Sequence, residues 1–351
     1  MQELHDAPLA PLTTLRLGGP ARRLVVATTE AEAIDTVRAA DRAGEPLLVV
    51  GGGSNLLIGD QGFDGTVLRL ATTGFELDGT ELTLAAGEVW SDAVDRCVAA
   101  GLAGVECLAG IPGSAGATPI QNVGAYGQEV SATVTEVTAY DRDDRRTVVL
   151  GNADCAFSYR HSRFKGNPGR YVVLRVRFRL ADAGGMSAPV RYAEVARALG
   201  VEQGDRVPVA TARDTVLRLR AGKGMVLDPD DHDTWSAGSF FTNPILDNTQ
   251  YAAFLARVRD RLGPDAVPPA YPAGEGHIKT SAAWLIDRAG FTKGYGTGPA
   301  RISTKHTLAL TNRGTAKTED LLALARQVRD GVREAFGVEL VNEPVMVGVG
   351  L

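Results

Sequence analysis

The sequence predicts an α+β protein of two domains, about residues 1–200 and 201–351. Three observations carry that expectation. The chain has 351 residues, more than one small core organises. Short aliphatic and β-branched runs with occasional helices fill its first part. Beyond ADAGGMSAP (181–189) the pattern becomes mainly helical, and the final segment VELVNEPVMVGVGL supplies a last strand that could pack back on the first domain.

The elements follow in order. RLVVA (23–27), PLLVV (46–50), TVLRL (66–70) and ELTLAA (81–86) read as strands. The stretch 29–44 reads as a helix capped by Thr29 and ended by Gly44, with Ile34, Val37 and Ala40 on one face. A second helix, 91–101, is expected to open at Ser91 and close at Gly101. TVTEVTAYDR and RRTVVL flank Asp143-Asp144, a turn pair, and so predict a hairpin. In YVVLRVRFRL (171–180), Val172, Leu174, Val176, Phe178 and Leu180 alternate with Arg175, Arg177 and Arg179, which predicts one buried face and one solvated face. Helices follow at 191–200, 211–223, 248–263, 280–290 and 318–337; Thr or Asn caps are expected for several, and Thr211 with Asp214 for the second.

Composition excludes several classes of function. The apolar fraction of 44% and charged fraction of 23% are ordinary for a globular protein. A net charge of −5 without a Lys/Arg block argues against nucleic acid as a partner. Three scattered cysteines give neither a disulfide framework nor a zinc pattern, so no metal is expected. No run of about 18 uncharged apolar residues is present, so no membrane insertion is expected. The N-terminus lacks a signal-peptide pattern, which makes the cytoplasm the default location.

Two glycine-rich segments stand out. GGGSNLL (51–57) directly follows a strand, where successive glycines let backbone N–H groups turn toward a phosphate. Leu56 stands where a dinucleotide fingerprint needs its third glycine, so this is either a phosphate loop of another kind or a tight turn between strands. Residues 101–127 carry seven glycines in 27 residues and almost no charge. Exposed linkers gain nothing from Ile, Val and Leu, so this segment is expected to wrap a ligand. Within it, GIPGSAGATPIQNVGAYG (110–127) adds the polar set Ser114, Thr118, Gln121 and Asn122. Two such loops in one domain can grip two phosphates and leave room for a flat ring.

This pair of segments resembles the UDP-N-acetylenolpyruvoylglucosamine reductases, which share the FAD-binding fold of vanillyl-alcohol oxidase. TTLRLGG (13–19), YRHSRFK (159–165), AGSFFTNP (237–244), WLIDRAG (284–290) and NEP (342–344) fit the same family, so the resemblance spans nearly the whole chain. It implies an FAD-binding domain of that type followed by an α+β substrate domain. It also implies non-covalent FAD, NADPH as co-substrate, UDP-N-acetylglucosamine enolpyruvate as the small-molecule substrate, and a monomer. The cofactor residues it implies are Gly51, Gly52, Gly53, Ser54, Asn55 and Leu56 in the first loop. In the second they are Gly113, Ser114, Thr118, Gln121, Asn122, Gly124, Ala125 and Tyr126.

The implied substrate is a vinyl ether bearing a carboxylate. Hydride delivery to one alkene carbon leaves negative charge on its neighbour, so the reaction needs a cation at the carboxylate and a proton donor at the carbon. Arg160 suits the first role, because guanidinium is permanently charged and grips a carboxylate with two hydrogen bonds; a surface arginine is the alternative. Ser239 alone reads rather as a turn residue before Phe240 and Phe241; the resemblance reverses that and makes it the proton donor. Glu343, extended before a proline, is either a surface carboxylate or a group that orients Arg160, a water or the enol. Arg220 and Lys223 end a helix, where cations also serve as ordinary dipole partners, and are candidates for the UDP diphosphate. Asn243 and Tyr192 complete the substrate set, Tyr192 as a tyrosine that closes over the nucleotide in one subclass of the family. The acidic spacer DPDDHDTW (228–235) is longer than the shortest family members carry.

Two rival readings remain at this level. One is a sugar or alcohol oxidase of the same fold, many of which tether flavin through histidine; none of His5, His161, His232, His277 and His306 lies in a glycine-rich loop. The other is a UDP-sugar-binding or regulatory protein without turnover.

Overall fold

A computed structural model describes residues 1–351. They divide into two compact units, one of Met1–Ala7, Pro20–Gly53 and Phe63–Val226, the other of Pro8–Gly19, Ser54–Gly62 and Leu227–Leu351. The division falls after Val226 rather than near residue 200. Its cause is the helix Val209–Gly222, which packs on the helix Ala193–Leu199 and on the turn Glu106–Leu108 through Val216, Val195, Ala196 and Cys107. The closing strand Val345–Val347 does return to an early part of the sequence, pairing in parallel with Leu56–Ile58, but that early segment belongs to the second unit.

In the first unit, Pro20–Ala27, Phe63–Leu70 and Leu47–Val50 form a parallel sheet, with Gln2–Pro8 at its edge. The helix Glu30–Ala43 covers it. Thr29 and Glu32 form a reciprocal capping box there, and Gly44 ends the helix at φ 62°. An antiparallel sheet runs Arg146–Gly151, Val134–Asp141, Tyr171–Arg179, Glu81–Ala85, Phe75–Asp78. Its hairpin turns where the Asp141 carboxylate accepts the N–H groups of Asp143 and Asp144.

The strand Tyr171–Arg179 corrects the simple alternation. Register shifts opposite Thr138/Ala139, so Val172 and Leu174 pack with Val25, Val37 and Leu68, whereas Val173, Val176 and Phe178 pack with Trp90 and Val94. A bulge inserts one residue and exchanges the faces of everything beyond it. The three arginines stay in solvent, paired with Glu30, Glu136 and Glu81. The helix Trp90–Ala99 starts earlier than Ser91, with Val89 at its cap, and Val209–Gly222 starts earlier than Thr211, with Pro208 at its cap. Proline there lacks an N–H that the first turn would leave unused anyway.

The second unit packs the helices Asn248–Leu262, Ala282–Arg288 and Thr318–Phe336 around Phe240, Phe241, Phe254, Leu285 and Phe336. Asp247 and Ser281, rather than Asn248 and Thr280, cap the first two. The third is amphipathic at helical spacing, burying Leu321, Ala325, Val328 and Val332. Its first N–H groups are taken by the Asp60 carboxylate, at 2.9 Å from Thr318 and 3.4 Å from Glu319. No helix is long and apolar enough to cross a membrane.

Candidate active site

The two glycine-rich loops lie against each other within the first unit. A Cβ on Gly52 would stand 2.6 Å from the Gly113 Cα, and one on Gly51 would stand 2.2 Å from the Ser114 hydroxyl. Only glycine permits that approach. Gly53 and Gly113 both take positive φ, 61° and 125°, which turns successive peptides. The N–H groups of Gly51, Gly52 and Gly53 make no backbone hydrogen bond. Three consecutive free donors, the last in the left-handed region, are the arrangement from which an anion-binding concavity is built. Ser54 opens a segment of the second unit, where the Asn55 side chain reaches the Glu343 carbonyl and Leu56 begins the strand paired with Val345.

Some polar residues of the second loop serve the fold itself. The Thr118 hydroxyl donates to the Ala115 carbonyl at 2.8 Å, closing its own turn. Asn122 is buried at φ 48°; its amide donates to Glu129 and to the Ser158 carbonyl and accepts from the Ser131 N–H. All its side-chain hydrogen-bonding groups are thus engaged, so Asn122 can offer a cofactor only its backbone. Gln121, Gly124, Ala125 and Tyr126 are half-buried in the same loop.

Arg160 is joined to this loop. Its backbone sits at φ 53°, in a turn where Ser158 and His161 exchange backbone hydrogen bonds. Its guanidinium donates to the Gly124 carbonyl at 2.8 Å, and the Lys165 ammonium holds its carbonyl at 3.2 Å. The fully buried Ser162 hydroxyl donates to the Ile120 carbonyl at 2.6 Å, locking the arginine motif onto the glycine loop. A left-handed non-glycine residue is costly and marks a position that its surroundings over-determine. Ser162, Ser158 and Glu129 were not expected from sequence; only Ser162 carried a signal, its place inside YRHSRFK.

Tyr192, Arg220 and Lys223 come together around Tyr126. The two tyrosine rings meet edge to face at 5.5 Å, and the Lys223 ammonium lies 5.4 Å from the Tyr126 ring while pairing with Glu194 at 2.6 Å. The Arg220 guanidinium donates to the carbonyls of Gly110 and Met225, but its buried Nε has no protein partner. Burial pushes Arg220 down to about 10 and the Tyr126 phenol up to about 12. A buried cation with one donor unused is suited to an anionic ligand. Tyr192 itself is 47% exposed.

In the second unit, Ser239 and Glu343 are neighbours. The Glu343 N–H donates to the Phe240 carbonyl at 2.9 Å, and Phe241 faces Asn342 across an antiparallel bridge. Phe240 and Phe241 are 1% exposed and pin that side of the turn into the core. The hydroxyl that serves the turn belongs to Ser236, which accepts from the Gly238 N–H; the half-buried Ser239 hydroxyl has no hydrogen bond to the protein. Its side chain is therefore available for chemistry rather than committed to a cap. Asn243 accepts the Ala282 N–H and so helps to start a helix, leaving its amide hydrogens for a ligand.

Comparison with known proteins gives the family and the fold. A family model described as FAD binding domain matches residues 21–150, and one described as UDP-N-acetylenolpyruvoylglucosamine reductase, C-terminal domain, matches residues 228–347. The chain is 77% identical to the UDP-N-acetylenolpyruvoylglucosamine reductase of Streptomyces avermitilis, covering 100% of this chain and 96% of that protein. It is 61% identical to the Thermobifida fusca reductase, covering 99% and 98%. Among solved structures, the Thermus caldophilus reductase superimposes with a TM-score of 0.66 at 27% identity over 99% of this chain and 98% of that one. The 6-hydroxy-D-nicotine oxidase of Arthrobacter nicotinovorans shares the fold, with a TM-score of 0.52 at 16% identity over 98% and 88% of the two chains. Fold and paired loops thus define an FAD-dependent oxidoreductase of the vanillyl-alcohol oxidase type. Within that class, the chain belongs to the UDP-N-acetylenolpyruvoylglucosamine reductase family.

Proposed function

We propose that the protein reduces UDP-N-acetylglucosamine enolpyruvate to UDP-N-acetylmuramate with NADPH, supplying a precursor of bacterial peptidoglycan in the cytoplasm as a monomer. Bound FAD supplies the hydride chemistry. The observation that carries the residue assignment is that Ser239, whose hydroxyl is uncommitted, precedes Phe240 and Phe241, whose backbone is bridged to Asn342 and Glu343. Ser239 gives the proton to the carbon that becomes carbanionic. Glu343 orients the enol or a water beside it. Arg160 holds the substrate carboxylate and stabilises the charge that spreads into it. Tyr192, Arg220 and Lys223 bind the nucleotide and its diphosphate, and Asn243 contributes its free amide hydrogens. The backbone of Gly51, Gly52 and Gly53 receives the FAD pyrophosphate, with the loop from Gly113 to Tyr126 around the ring system.

Product analysis tests the reading. One UDP-N-acetylmuramate is expected per NADPH consumed, with solvent deuterium at the protonated carbon of the product formed in heavy water. NADPH oxidation without that product would reject it. Light scattering checks the monomer.

A further inference from the structure

The Ser239 hydroxyl has no protein partner, so its position is set entirely by the backbone on either side. Both sides are fastened to one antiparallel pair, Ala300–Ile302 with Leu310–Asn312, and to the turn between these strands. On the far side, the Phe240 N–H donates to the Leu308 carbonyl at 2.8 Å. On the near side, the anchor is the acidic spacer 228–235. Asp233 is 4% exposed, and its carboxylate accepts the Thr304 N–H at 2.9 Å, the Thr304 hydroxyl at 2.5 Å and the Arg313 guanidinium at 2.8 Å. Asp231 pairs with Lys305 at 2.5 Å. The Thr234 hydroxyl donates to the carbonyls of Asp228 and Asp231, closing the spacer on itself. From Asp233 the chain reaches the serine through two more fixed points. Asn312 donates its N–H to the Trp235 carbonyl at 3.0 Å, and the Thr14 hydroxyl donates to the Ser236 carbonyl at 2.6 Å.

We infer that Asp233 is a positioning residue for the proton donor: by gripping Thr304 and Arg313 it sets the near end of the turn that aims Ser239. The inference rests on the reading of Ser239 as donor. A buried carboxylate with three donors cannot be neutralised without leaving Arg313 and Thr304 unmatched, so its loss displaces the turn rather than only loosening it. The proton-delivery step depends on ångström-scale placement, whereas electron entry from NADPH does not depend on a serine hydroxyl.

The test uses the FAD-loaded protein with Asp233→Asn, Thr304→Val and Ser239→Ala, each followed by anaerobic stopped-flow and thermal unfolding. Asp233→Asn is expected to bleach normally with NADPH but to recover its absorbance with the UDP-sugar roughly 10- to 100-fold more slowly. Its solvent deuterium isotope effect on recovery should exceed that of the unaltered protein. Thr304→Val, which removes one of three donors, should fall between. If Asp233→Asn recovers normally, or if both phases slow together with an unchanged isotope effect, the inference is overturned. Should that variant not fold, Thr304→Val decides: selective slowing supports the inference and its absence overturns it. Ser239→Ala separates the premises. Unimpaired recovery there removes the donor reading and this inference together; slow recovery there with normal Asp233→Asn removes only the inference.

Discussion

At the scale of single residues, Arg160 and Ser239 answer opposite demands. The arginine brings a permanent charge, so what matters is geometry: a left-handed backbone and a hydrogen bond to the Gly124 carbonyl fix it. Arg160→Lys keeps the charge but not the two-pronged grip, and turnover is expected to fall tenfold or more, since one charge-assisted contact is worth about 1.5–3 kcal/mol. Unchanged kcat/KM in the purified variant would remove it from the carboxylate. The serine brings no charge, and its availability matters instead. Ser239→Ala should leave flavin bleaching by NADPH intact and slow recovery by the UDP-sugar on the order of a hundredfold. A capping serine would instead cost about 1 kcal/mol of stability and slow neither phase selectively. Sequence alone favoured a turn role for Ser239, because the competing hydroxyl, Ser236, stands three residues away and only the folded turn shows which of them the Gly238 N–H selects. Asn122 went the other way: its amide reads as a ligand group in a glycine-rich loop, yet Glu129, Ser158 and Ser131 occupy it.

At the scale of elements, helices and strands were legible wherever the signal was local. Thr29, Glu32 and Gly44 delimit the first helix as their types require. The bulge opposite Thr138/Ala139 was not legible, because the extra residue, Leu174, sits inside an alternation that runs on unbroken through Tyr171–Arg179, and only the pairing with the partner strand reveals it. The loop contact between Gly52 and Gly113 was hidden for the same non-local reason. It predicts that Gly52→Ala, whose Cβ would meet backbone at 2.6 Å, lowers stability by about 1–3 kcal/mol and lowers FAD content in parallel. Gly222→Ala, at a helix end with open space around it, should be neutral or stabilising by up to about 1 kcal/mol. Thermal unfolding with the flavin absorbance ratio reads both effects; equal behaviour of the two variants would refute the packing argument.

The acidic spacer makes a pH prediction at the same scale. Burial alone would raise Asp233 and Asp231, but hydrogen bonds from Thr304, with Arg313, and from Lys305 outweigh it and hold both carboxyls below their usual range. A carboxylate depressed in the folded state stabilises it fully above the unfolded value of about 3.9, and that contribution is lost as pH falls through the folded value. The melting temperature should therefore drop as pH falls below about 4. Asp233→Asn should start lower at neutral pH and lose less over that range. An identical acid slope in the two proteins would show that Asp233 does not carry the effect.

At the scale of the whole molecule, family and fold were legible because their motifs run from TTLRLGG to NEP across the chain. The division into units was less so. Helix Val209–Gly222 joins the first unit by burying Val216 beside Cys107, a partner about a hundred residues away that no local pattern announces. The absence of histidine from both glycine loops predicts that acid precipitation releases all yellow colour into the supernatant; colour kept in the pellet would mean a covalent tether. The central claim, an FAD enzyme that passes electrons from NADPH to an enolpyruvyl UDP-sugar, meets its most direct test in one anaerobic absorbance trace. The protein should be yellow, lose its flavin band on adding NADPH, and regain it on adding UDP-N-acetylglucosamine enolpyruvate. A colourless protein, a band that NADPH leaves untouched, or a bleached band that the UDP-sugar does not restore would contradict it.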